Sequence, residues 1–230
     1  MTAGQPSSTL WELWIVDCGD SDTSRELWSD LVKRWSEPHR GYHNLHHLLQ
    51  VLTVIDSLSS GQEDLQAVRL AAWFHDAIYD PKAADNEAQS AELARAELGT
   101  LKLDEALVDD VCELILMTIE HQVEEAEDSA RRCALLLHDA DLSILGAPAA
   151  QYLMYVNGVR REYAHVPDKE FTSARSAILQ GFLDRERIFL LDDAHERLEE
   201  SARTNIAAEL LIYSPDEPEE GPSLLGIPLS

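Results

Sequence analysis

Cysteine is scarce in this chain. Cys18, Cys112 and Cys133 are three in 230 residues, odd in number and scattered. They form neither a disulfide framework nor a thiolate zinc pattern. Basic residues are scarce too: 18 Lys and Arg stand against 43 Asp and Glu, a formal net charge of -25. A surface of that sign repels phosphate backbones and anionic lipid, which argues against nucleic-acid and membrane-surface partners. A small anionic substrate remains admissible where cations offset it locally. No apolar run approaches the roughly 20 residues that span a bilayer. Residues 1–8 are polar and hold no signal core. Together these absences predict a reduced, soluble, cytoplasmic protein.

Hairpin turn signals and internal repeats are also missing, and the periodicity that is present is helical. Apolar residues make up 45% of the chain, an ordinary share for one globular core. The spacing predicts a short helix over 9–16 and longer ones over 24–36, 41–58, 62–79, 86–98, 104–121, 129–144, 149–163, 168–183 and 194–213. The expected fold is an all-α, single helical bundle. Residues 1–23 read as an N-terminal extension, 24–213 as the domain, and 214–230 as a flexible Pro- and Gly-rich tail.

Within the helix expected over 62–79, Leu70-Ala71-Ala72-Trp73-Phe74 is apolar on every side, which marks a buried segment. It runs directly into His75 and Asp76. Ionisable groups at the end of a buried helix are costly unless they are paired or bind a metal. A plain helix end reaching water is the competing explanation. Two other stretches offer partners. Tyr42-His43-Asn44-Leu45-His46-His47 holds three histidines in five positions, and His43 and His47 stand at the i, i+4 spacing that serves one site. On a helical wheel they lie opposite the Leu45, Leu48, Leu49 and Leu52 stripe, which favours His47 over His46. The bland alternative is a solvated face. Cys133-Ala134-Leu135-Leu136-Leu137 meets His138, Asp139 and Asp141, and Asp141 is flanked by apolar residues. His47, His75, Asp76 and Asp141 therefore form a candidate set of two imidazoles and two carboxylates. That donor set suits a divalent cation such as Fe, Mn, Zn, Ni or Co, with Mg also admissible. Arg40 and Arg175 are the candidates for holding a substrate anion. Arg160 and Arg161 could do so too or be surface ion-pair partners, and His165 reads as structural.

The order His … His-Asp … Asp on an all-α chain resembles the HD superfamily of metal-dependent phosphohydrolases. Tyr42-His43-Asn44-Leu45-His46-His47 is similar to the Y-H-N-x-x-H segment of cyclic-nucleotide phosphodiesterases, and Ala140-Asp141-Leu142-Ser143 to their A-D-L-S segment. With His75-Asp76-Ala77-Ile78-Tyr79-Asp80-Pro81, the composite resembles the bacterial branch of predicted metal-dependent HD phosphohydrolases, over residues 37–190. The resemblance implies an HD-type bundle in which His47, His75, Asp76 and Asp141 bind metal. It implies that Asp76 can bridge two ions, that His43 gives a proton to the leaving oxygen, and that Asn44 lies on the substrate side. His121 matches the region where two-metal members place a further ligand, which leaves one ion or two open. The implied partner is a small phosphorylated substrate, nucleotides included, and the implied reaction is hydrolysis by metal-activated water. A di-iron oxygenase of the HD type and a non-catalytic nucleotide sensor are the alternatives.

Overall fold

The computed structural model describes residues 6–61, 64–119, 123 and 129–213. Among these the chain forms ten α-helices, one short 3-10 helix and no strands, so the all-α class holds. The helices are α1 (Pro6–Cys18), α2 (Asp22–Trp35), α3 (Leu45–Leu58), α4 (Leu65–Phe74), α5 (Asn86–Thr100), α6 (Glu105–Met117), α7 (Ser129–Asp141), α8 (Ala149–Glu162), α9 (Asp168–Leu183) and α10 (Asp192–Tyr213), with the 3-10 helix at Leu142–Gly146. No single helix among the described residues is long and apolar enough to cross a membrane.

Several boundaries differ from the sequence expectation for identifiable reasons. The helix expected from 41 begins at Leu45, because the Asn44 side chain accepts a hydrogen bond from the His46 amide and caps it. His43 therefore stands on the preceding turn, not on the helix. The helix expected over 62–79 starts after Asp64, whose carboxylate takes the amides of Gln66 and Ala67. It stops at Phe74. The carbonyls of Asp76 and Ala77, beyond its end, are taken by the guanidinium of Arg40 at 2.8 and 3.3 Å. α6 stops at Met117, short of the expected 121, and Thr118 turns its hydroxyl back onto the Ile115 carbonyl. His121, the tail at 214–230 and residues 1–5 lie outside the described residues. The helix expected over 129–144 divides at Asp141, where α7 tightens into the 3-10 helix.

Two hydrophobic clusters result. The larger gathers α1 to α7 around α4, whose Val68 and Leu70 to Phe74 are fully buried. α1 belongs to this core through Leu10 and Trp14. Trp35 donates its indole N–H to the Trp73 carbonyl at 3.0 Å, which ties α2 to α4. The smaller cluster joins the 3-10 helix, α8, α9 and α10 through Leu145, Tyr152, Leu179, Phe189 and Ile206. Buried carboxylates organise the chain between α9 and α10. Asp139 accepts from the amides of Leu190 and Leu191, and Glu199 from those of Ile188 and Phe189. α8 meets the turn before α3 at Gly41 and Gly158. A Cβ on Gly158 would stand 2.8 Å from the Gly41 carbonyl oxygen, so only glycine permits this approach.

Candidate metal centre

The first turn of α3 and the last turns of α4 and α7 meet at the candidate centre. They bring together His47 of α3, His75 just past the end of α4 and Asp141 of α7. One ligand atom from each lies within 4.8 Å of the others, and this group is able to hold a metal ion. His47 Nε2 stands 3.1 Å from Asp141 Oδ1, and His75 Nε2 stands 3.6 Å from the same oxygen. Asp76 lies beside them, with Oδ2 at 3.3 Å from His75 Nε2 and 3.9 Å from His47 Nε2. The imidazoles are buried at 3 and 2% exposure, whereas the carboxylates are 14% exposed and open the centre to water.

The ring orientations fit a cation. His75 Nδ1 is 2.9 Å from the Ala72 carbonyl, so that nitrogen carries the proton and Nε2 turns a lone pair to the centre. Neither Nε2 of His75 nor either ring nitrogen of His47 has a hydrogen-bond partner. The short His47–Asp141 approach thus lacks hydrogen-bond geometry. Buried polar atoms without partners are rare and call for a ligand. α4 and α7 also both end here, and the carbonyl end of a helix favours positive charge. Burial would raise both carboxyl groups, yet the neighbouring histidines hold Asp76 and Asp141 well below the usual carboxylate range. Burial lowers His47. It also acts against charge on His75, but Asp76 and Asp141 outweigh it and raise His75. The carboxylates therefore gather positive charge, either a proton on His75 or a cation in its place.

His43 flanks this group, its ring centroid 5.6 Å from that of His47. Its Nδ1 lies 2.8 Å from Glu162 Oε2 on α8. Glu162 also accepts from the Tyr42 and His43 amides at 2.7 and 3.0 Å and from the Tyr79 hydroxyl at 2.9 Å. Burial opposes charge on both partners. It is outweighed at His43 by the carboxylates of Asp76 and Glu162, which raise it, and at Glu162 by His43 and the two amides, which bring it down to about 2. Glu162 escaped the sequence reading because Arg160-Arg161-Glu162 looks like an ordinary charged helix end. In the sequence Tyr42 stands out only as part of its motif. Its ring packs on His47 at 4.6 Å, and burial with the nearby Asp141 carboxylate raises its hydroxyl well above the usual tyrosine value.

The remaining candidates have other partners. Arg40 is buried, donating to the carbonyls of His43, Asp76 and Ala77 and to Glu37. Arg175 pairs with Glu209 at 2.8 Å inside the second cluster. Asn44 caps α3, and His46 is exposed. Arg160 bonds to Asp168 and the Tyr163 carbonyl, Arg161 bonds to the Gly41 carbonyl, and His165 stacks beside Tyr163. His138 bonds to Asp139 and is not among the centre's ligand group. No family model, curated protein or solved structure matches this chain.

Proposed function

We propose that the protein is a metal-dependent phosphohydrolase of the HD type, with His47, His75, Asp76 and Asp141 as the ligands of a divalent ion. The observation that carries this reading is the convergence of two buried Nε2 atoms, neither in a hydrogen bond, with the carboxylates of Asp76 and Asp141. Two carboxylates offset the charge of one divalent cation, and the mixed nitrogen and oxygen donors suit Mn, Fe, Co, Ni or Zn, with Mg a further choice. When bound, such an ion lowers the pKa of its water from about 15.7 towards about 7 and withdraws charge from a phosphoryl oxygen. The family resemblance would give a second ion to Asp76 and His121, of which His121 lies outside the described residues.

His43 supplies the general acid. Glu162 holds its Nδ1, which leaves Nε2 to give a proton to the departing oxygen of a phosphate ester. Such help is worth on the order of 10² to 10⁴ in rate. The substrate class is a small phosphomonoester, nucleotide or phosphodiester.

The test is a screen of phosphorylated metabolites against the protein loaded with Mn, Mg, Fe, Co or Ni, paired with metal analysis. His75→Ala and Asp141→Asn are expected to lose metal and phosphate release together, while His43→Ala keeps metal and loses turnover. Parental turnover by His43→Ala would remove the acid role. Iron-dependent oxygen consumption without phosphate release would replace the hydrolase by an oxygenase.

A further inference from the structure

Tyr42 is the least explained side chain at the centre. Its ring is held on three sides, against His47 at 4.6 Å, edge-on to His43 at 4.9 Å and edge-on to Tyr155 at 4.6 Å. The packing fixes where the hydroxyl sits. That oxygen is buried, and among the described residues it has no hydrogen-bond partner. A tyrosine buried this way ordinarily finds an acceptor, because an unpaired hydroxyl forfeits the water it left behind. A phenylalanine would fill the same space without that loss.

The Asp141 carboxylate is close enough to help raise this hydroxyl, which puts the hydroxyl beside the centre, where a bound group would supply the acceptor. Water bound to a cation would be a weak acceptor, since the cation withdraws charge from its oxygen. A phosphoryl oxygen carries lone pairs and negative charge. It also needs donors here, because Arg40 and Arg175 are bound to backbone carbonyls and to Glu209. In a chain this acidic, a neutral donor binds a phosphoryl group without adding a cation for the carboxylates to capture.

We propose that Tyr42 is a substrate-binding residue whose hydroxyl donates a hydrogen bond to a non-bridging phosphoryl oxygen. This rests on the phosphohydrolase reading and adds a binding residue that the motif alone does not define. The probe is inorganic phosphate, the product common to phosphomonoesters, titrated calorimetrically into the Mn-loaded full chain and its Tyr42→Phe variant. Metal content and thermal midpoint are read on the same samples. The expected result is phosphate affinity lowered about tenfold, with metal content unchanged and the midpoint of the metal-free variant equal or higher. Parental phosphate affinity in Tyr42→Phe would overturn the proposal, and so would loss of metal with the hydroxyl, which would assign Tyr42 to the cation. If the parent chain takes up Mn but no phosphate, this proposal falls, whereas the phosphohydrolase reading falls only if the metabolite screen also yields no hydrolysis.

Discussion

Glu162 does for His43 what the Ala72 carbonyl does for His75. Each holds Nδ1 of a ring, at 2.8 and 2.9 Å, and so aims the other nitrogen. The two partners differ in charge. A carbonyl fixes the proton on Nδ1 and leaves Nε2 for a ligand, whereas a carboxylate sustains the protonated form suited to an acid. Because His43 is raised, its acid form persists above the ordinary histidine value near 6.5, and activity that needs it falls as pH rises through the raised value. Glu162→Gln removes one of the charges that raise it. Turnover should fall by about 10- to 100-fold, and the basic limb of the pH–rate profile should move to lower pH, with metal content unchanged. A basic limb that stays in place in the variant would show that Glu162 does not set the state of His43.

The elements matter through where they end. α3 and α4 are shorter than their hydrophobic periodicity suggests, and the residues they leave out, His43 and Asp76, are among those at the centre. Periodicity reports which face is buried and is silent on caps. Asn44 and the carbonyl-binding Arg40 set those ends, and Arg40 acts across 36 residues of sequence. α8 is placed by the Gly41–Gly158 contact, and Glu162 stands about one turn beyond Gly158 on the same side. In Gly158→Ala the new Cβ would press on the Gly41 carbonyl at 2.8 Å and force α8 outward. Overpacking of this kind costs about 1–3 kcal/mol. Thermal or denaturant unfolding should show that loss. Phosphate release should fall further than metal affinity, because α8 carries none of the metal-ligand group. A variant with parental stability and turnover would mean that the backbone gives way at this contact without cost.

At the scale of the whole molecule, charge dominates. A net charge of -25 on one domain repels itself, and the compact state concentrates that repulsion. Raising monovalent salt from about 10 mM to about 150 mM shortens the screening length from about 30 Å to about 8 Å. The melting midpoint should rise by several degrees over that range, measured without divalent ions. A midpoint independent of salt would show that self-repulsion does not limit the stability of the folded chain. The same charge helps the centre, since a cation approaching Asp76 and Asp141 moves down the potential of the whole surface.

The sequence alone determined the helical class, the buried α4 segment and the candidacy of His47, His75, Asp76 and Asp141. It could do so because apolar spacing and the cost of ionisable groups beside apolar runs are local properties. The tertiary structure decided the rest. It joined α3, α4 and α7 at their ends, tied Arg40 and Arg175 to internal acceptors, and brought Glu162 to His43 from 119 residues away. Those outcomes depend on which donor reaches which acceptor after the helices pack. Nothing in the linear order of Arg160-Arg161-Glu162 or Pro38-His39-Arg40 encodes that distance.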